Sequence, residues 1–279
     1  MTMNDNDLSS NLSLAALTIL DAGPIGQVRA AAEAGFTSVG LRLQPLLPTD
    51  VAVIGDANAM DELAQLIAQT KMRVLEIGVF PLKAGMDLEA LGPVLSFSHK
   101  LGARYIVCPV EDDDKKRRAE TFAELCDLAE TCALEALVEF NPYSACRSLN
   151  EAYELVTKAD RPNGKLLIDA FHLSRSGAHP LDLRSVPKDL LALVHLCDAE
   201  PLPTTPRSVE DLRRESRTAR LLPGEGSLWL DALLDALPPG IPLSIEAPAA
   251  KNAHLPAAER ARLALAASQR LLAKHGSTA

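Results

Sequence analysis

Four stretches of the chain finish alike: Leu-Val-Glu139, Leu-Ile-Asp169, Leu-Val-His195 and Ser-Ile-Glu246. Each places one metal-competent group directly after a β-branched apolar residue. The groups lie 30, 26 and 51 residues apart. The first two intervals are each about one strand-plus-helix unit, and the third is one such unit enlarged by segment 200–222. Side chains alternate along a strand, so in a barrel Glu139, Asp169, His195 and Glu246 would share the inward face with Leu137, Leu167, Leu193 and Ser244 two residues below. A single carboxylate at a strand end is ordinarily a helix cap, and a single histidine is ordinarily a satisfied core residue; the coincidence on four neighbouring strands is what points to a metal. Three carboxylates crowded without a cation repel and drive their pKa values up, a cost that a divalent ion removes. The oxygen-rich set with one imidazole favours Mn²⁺ or Mg²⁺ and also admits Co²⁺, Zn²⁺ or Fe²⁺. An octahedral ion would keep positions open for two substrate oxygens.

The elements that must position these groups are legible as alternating short apolar runs and longer amphipathic ones. Strands are predicted at Leu14–Leu20, Ser38–Leu43, Arg73–Phe80, Arg104–Val110, Ala136–Phe140, Lys165–Ala170, Leu193–Asp198 and Pro242–Ala247. Helices are predicted at Ile25–Gly35, Ala59–Thr70, Leu88–Leu101, Arg117–Cys132, Leu149–Ala159, Leu183–Leu191, Leu228–Leu237 and Ala257–Lys274. Ser148 and Ser227 read as N-caps, and Gly35, Gly102 and Gly276 as C-terminal stops. Eight βα units in one domain over 12–279 predict a closed (β/α)₈ TIM barrel, with 1–11 a flexible tail. The open doubly wound sheet is the alternative, and its Gly-x-Gly-x-x-Gly turn is missing after the first strand.

Further groups surround the quartet. His172, three residues past Asp169, emerges above the metal. Arg175 in the same loop would bind a substrate carboxylate or phosphate, or pair with an acidic neighbour. Segment 200–222 carries Pro201, Pro203 and Pro206 and then a charged helix; it leaves the His195 strand on the active-site side, as a substrate lid would, and Arg217 and Arg220 are its candidate substrate contacts. Arg42 and Glu76, from the early strands, either complete the pocket or form a structural ion pair.

With these residues in view, the chain resembles the xylose isomerase-like barrels over roughly 12–275. The resemblance rests on Leu-Val-Glu139-Phe, Asp169-x-x-His172, Val-His195-Leu-x-Asp198, Arg220-x-x-Pro-Gly-Glu-Gly and Ile-Glu246. It implies that Glu139, Asp169, His195 and Glu246 bind one divalent ion, with Glu139 and Glu246 also transferring protons on either side of the substrate. It further implies that His172 and Arg220 contact substrate oxygens. A metal chelating a carbonyl and its neighbouring hydroxyl stabilises an enediolate, which acidifies the C–H between them. A keto-sugar isomerase or epimerase is therefore expected. The same chemistry with a hydroxyl β to the carbonyl gives the alternative, a dehydratase of a cyclic keto compound such as 3-dehydroshikimate or an inosose.

Bulk properties narrow the partners to a small molecule. A net charge of −9 and a pI near 5.2 oppose nucleic acid and anionic membranes. No apolar stretch approaches the ~18 residues of a membrane span. Five scattered cysteines without a Cys-x-x-Cys pair read as reduced thiols in a cytoplasmic protein. An endonuclease IV-like three-metal site would need more histidines than the six present, and a non-catalytic ligand-binding barrel would not need the quartet. A homo-oligomer is compatible with the sequence.

Overall fold

In a computed structural model, which describes residues 12–46, 50–202, 205 and 207–277, eight parallel strands close into one barrel in the order β1 to β8. They are β1 (Leu12–Leu14), β2 (Ser38–Leu41), β3 (Arg73–Gly78), β4 (Tyr105–Pro109), β5 (Glu135–Glu139), β6 (Gly164–Asp169), β7 (Leu191–Leu196) and β8 (Leu243–Ile245), with β1 pairing to β8. The helices are α1 (Gly23–Ala34), α2 (Ala57–Thr70), α3 (Gly92–Lys100), α4 (Lys115–Glu130), α5 (Leu149–Ala159), α6 (Ala170–Arg175), α7 (Val209–Thr218), α8 (Leu230–Ala236) and α9 (Ala257–Gly276). The tail expected at 1–11 lies outside the described residues.

Local chemistry explains the helix starts. Asp56, Asp114 and Ser148 each accept backbone N–H bonds in the first turn of α2, α4 and α5. Ser227 does not cap α8: its hydroxyl donates to the Ala199 carbonyl, and no side chain caps that helix. α1 ends at Gly35, whose φ of 96° is the left-handed turn a glycine accepts without strain.

Two predicted elements differ. The strand expected at Leu14–Leu20 is only Leu12–Leu14; Ala16–Ala22 winds as a 3₁₀ segment. Its Thr18 hydroxyl donates to the Ile245 carbonyl, which ties the segment to β8. The helix expected at Leu183–Leu191 is two 3₁₀ turns, Pro180–Ser185 and Lys188–Leu190, because Pro187 interrupts the run.

The barrel is packed in two layers. Inside, Tyr105, Val107, Leu137, Leu167 and Leu193 form a plug distinct from the larger apolar shell between strands and helices. Leu137, Leu167 and Leu193 are thus the floor beneath Glu139, Asp169 and His195. Asp169 pairs in register with His195, whereas Glu139 lies opposite Leu167 and His195 opposite Ser244. These two-residue offsets are the stagger of tilted strands, and they let residues out of register reach one height along the barrel axis. Among the described residues no helix is long and apolar enough to cross a membrane.

Candidate metal centre and active site

Glu139, Asp169, His195 and Glu246, all buried, each bring a ligand atom to within 4.8 Å of the others at the C-terminal mouth of the barrel. His195 Nδ1 stands 3.4 Å from Glu246 Oε2 and 3.9 Å from both Glu139 Oε1 and Asp169 Oδ2. Around one octahedral ion with bonds of about 2.1 Å, ligand atoms sit about 3.0 to 4.2 Å apart, so the quartet needs little adjustment to grip a cation. Both ring nitrogens of His195 are buried without a hydrogen-bond partner of good geometry, as expected for a side chain waiting for an ion. Nε2 faces the Glu76 carboxylate at 3.5 Å, leaving Nδ1 turned to the cluster. That is the carboxylate–imidazole arrangement that fixes the tautomer of a metal-binding histidine.

The two glutamates are pushed in opposite directions. Burial, with Glu246 close by, raises the Glu139 carboxyl to about 8. Burial would raise Glu246 also, but His195 and Arg220 outweigh it and hold that carboxyl well below the usual range. The imidazole of His172 is driven the other way, down to about 4, by burial.

The Asp169-x-x-His172 spacing has a local structural cause. Asp169 ends β6 and caps α6, its Oδ1 accepting the His172 N–H at 2.8 Å, while Oδ2 accepts Arg220 Nη1 at 2.6 Å. Helix cap and cluster member are one residue. His172 is thereby aimed at the cluster, with edge contacts to Phe171 and Tyr143 and with Nδ1 buried and unpartnered.

Arg220 reaches the cluster, where its donors are already engaged. It is 1% exposed. Nε donates to the Ser216 carbonyl, Nη1 to Asp169 and the Glu246 carbonyl, and Nη2 to the Ser216 hydroxyl, with Glu246 Oε2 at 3.0 Å. These bonds orient two carboxylates of the quartet, Asp169 and Glu246. Arg217 lies on the exposed face of α7, away from the cluster, and is placed without a polar partner among the described residues. Arg175 is the paired arginine of the two alternatives: it forks onto Glu215 at 2.7 and 3.2 Å and donates to the Glu200 carbonyl.

The loop that carries Arg220 is pinned by Asp198. Its carboxylate accepts the backbone N–H groups of Ala199, Leu228 and Gly224 at 2.8 to 3.1 Å. Gly226 packs so closely that a Cβ would fall 2.4 Å from the Ala199 carbonyl and Asp198 Oδ1. This explains the Pro-Gly-Glu-Gly turn: glycine lets the chain press against the cap, and the turn sets Arg220 over the ligands. Sequence reasoning did not find Tyr143, Glu215 or Ser216. Tyr143 donates to the Ser216 hydroxyl at 2.9 Å and, with the Arg175–Glu215 pair, fastens α7 to the barrel. Only Tyr143, four residues past Glu139, could have been suspected from its position at the mouth.

The cavity beside the quartet reaches across to the first strands, where Ala15, Leu17, Leu41, Arg42, Glu76, Val79 and Val107 line it. Among the described residues only one group of His, Cys, Asp and Glu side chains gathers as an ion site, so a three-metal arrangement finds no support. All five cysteines are free thiols, four of them buried.

A closed parallel barrel with a buried three-acid, one-histidine cluster at its C-terminal mouth places its candidate site where barrel enzymes carry their chemistry. The chain belongs to the xylose isomerase-like TIM barrel family, whose model matches residues 28–272. It is 29% identical over 147 residues to the inosose isomerase of Bacillus subtilis (strain 168), across 49% of this chain and 50% of that one. The chain spans about half the length of the curated relatives it matches. Among solved structures, the IOLI protein crystallised with a bound zinc atom superposes with a TM-score of 0.80 at 21% identity, covering 95% of this chain and 99% of the other. An L-ribulose 3-epimerase superposes at 0.70 and 17% identity, covering 96% of each. At those identities the structural likeness speaks to the fold.

Proposed function

We propose that this protein is a divalent-metal-dependent isomerase or epimerase of a keto-sugar or polyol-derived ketone. The observation that carries the reading is geometric: Glu139, Asp169, His195 and Glu246 each bring a ligand atom to within 4.8 Å of the others at the mouth of the barrel, with a cavity beside them. Two buried carboxylates beside one cavity can serve as a base and an acid towards the same substrate. Glu246 would take the proton α to the carbonyl, and Glu139 would deliver one to the opposite face or the adjacent carbon. Asp169 and His195 would complete the ligand set, and a bound ion would supply the Lewis acidity that makes that C–H labile. Arg220 holds Asp169 and Glu246 in place. His172, neutral through the ordinary pH range, offers its unpartnered Nδ1 to a substrate oxygen. The inosose isomerase similarity and the fold shared with sugar epimerases support this class. Elimination of water from a cyclic keto compound is the second reading, favoured by the aliphatic lining of the cavity.

The test is solvent exchange of substrate α-protons in D₂O, followed by proton NMR across a panel of keto-sugars and inososes with Mn²⁺ present. Exchange that vanishes on chelation and in Glu246→Gln is expected; undiminished exchange in demetallated protein would refute the proposal.

A further inference from the structure

The side of the cavity facing the quartet is aliphatic except for Arg42 and Glu76, and the Glu76 carboxylate is already turned to the Ser244 hydroxyl and the His195 ring. Ala15, Leu17, Leu41, Val79 and Val107 offer no side-chain hydrogen bond, and Arg42 is the one cation among the described residues lining that space. A polyol with a hydroxyl on every carbon would set several of them against hydrocarbon, each losing water without replacement.

Arg42 itself is under-used. Its side chain is 14% exposed. Among the described residues it makes one side-chain contact, a long 3.4 Å approach of Nη1 to Asp50 Oδ2, an oxygen that already accepts the Leu46 N–H at 3.0 Å. Its Nε is buried with no partner. The other guanidinium groups near the mouth are differently placed: Arg220 and Arg175 have each face satisfied at 2.6 to 3.2 Å by carboxylates, carbonyls or hydroxyls. A guanidinium carries five donors in a planar fork that matches a carboxylate, and a buried donor left unmatched is costly. Arg42 stands at the cavity with donors in reserve.

We infer that Arg42 is an anion-recognition residue and that the substrate of this site is a hydroxy-carbonyl compound bearing a carboxylate remote from its reacting end. The inference rests on the isomerase or lyase reading above and narrows its substrate class to keto-acids. One guanidinium, held by a single long contact to Asp50 and with its Nε unmatched, suits the single charge of a carboxylate; a phosphate dianion would call for further cations or converging backbone N–H groups, which the described lining does not supply. The aliphatic wall then contacts the carbon skeleton between the two polar ends.

The experiment compares matched probes by calorimetric titration into Mn²⁺-loaded protein: fructuronate against fructose, and 3-dehydroshikimate against its methyl ester, with wild type, Arg42→Lys and Arg42→Gln. At least one acid is expected to bind about 10-fold or more tightly than its neutral partner. Arg42→Gln should weaken that acid about 10- to 100-fold and close the gap, and Arg42→Lys, which keeps charge but loses the fork, should fall between. Mn²⁺ affinity, measured on the same samples, should stay level across the three proteins. Equal affinity within both pairs, no binding of either acid, or equal weakening of acid and neutral probe in Arg42→Gln would each overturn the inference. The Mn²⁺ titration separates this from the underlying reading. A protein that loads metal and exchanges the protons of neutral ketoses while ignoring acids refutes the carboxylate subsite alone. One that takes up no metal refutes the isomerase proposal.

Discussion

Strands β5 to β8 and strands β1 to β4 are built from the same βα unit, yet their C-terminal ends differ in kind. The later half delivers Glu139, Asp169, His195 and Glu246 to one point and locks them with Arg220, Asp198 and α7. The earlier half delivers Ala15, Leu41, Val79 and Val107, with Arg42 as its charged member and Glu76 reaching in from beneath. The difference separates two tasks. A cation and proton transfer need converging charged groups held rigidly, so that half is dense in buried ion pairs; choosing a substrate needs shape and one or two polar anchors. Changes in β5–β8 should therefore act on metal binding and turnover, and changes in β1–β4 on affinity for substrate.

The sharpest break in that division comes from Glu246→Gln, which should lower turnover about 10²- to 10⁴-fold while Mn²⁺ binding persists, as read by single-turnover exchange alongside a metal titration. A loss confined to substrate KM would place Glu246 with the early half instead. Next in size is Arg220→Met. Removing one partner of a buried charged network costs about 3 to 5 kcal/mol. The cost should be largest in metal-free protein, where Asp169 and Glu246 then face each other without a cation, and smaller once Mn²⁺ is loaded. Thermal unfolding with and without Mn²⁺ measures both, and equal losses in the two states would argue against Arg220 as a stand-in positive charge. Glu76→Gln tests the one early-half residue assigned to the ion site: Mn²⁺ affinity should fall about 10- to 100-fold, since His195 loses the carboxylate that sets its tautomer. An unchanged affinity would return Glu76 to a purely structural role with Ser244, whose hydroxyl donates to it at 2.7 Å. The smallest effect belongs to Tyr143→Phe, which deletes the bond to Ser216 and should cost about 1 kcal/mol of stability by chemical unfolding.

The two halves were also unequally legible in the sequence. Along β5–β8 a charged residue interrupts each apolar run, so strand, inward face and chemistry could be read together; even the doubt that a lone Asp is a helix cap proved informative, since Asp169 is a cap as well as a cluster member. At the start of the chain no such interruption exists. The apolar run after Leu14 looks like a strand, and only its tie to β8 through Thr18 makes Ala16–Ala22 a 3₁₀ segment. Segment 200–222 read as a charged helix, and α7 is one, but which of its charges faced inward was beyond pattern. Glu215 is buried because Arg175, forty residues earlier, meets it, and Arg220 is fully engaged because Ser216 and Asp169 are there to accept. Pairings across that distance follow from the closed barrel and leave no periodic trace.

The central claim is that Glu139, Asp169, His195 and Glu246 hold one divalent ion between them. Metal content after dialysis against Mn²⁺, counted per chain for the wild type and for Asp169→Ala, tests it directly. One ion per wild-type chain and a loss of most of it in the variant is the predicted result; equal metal in both proteins, or none in either, would contradict the account.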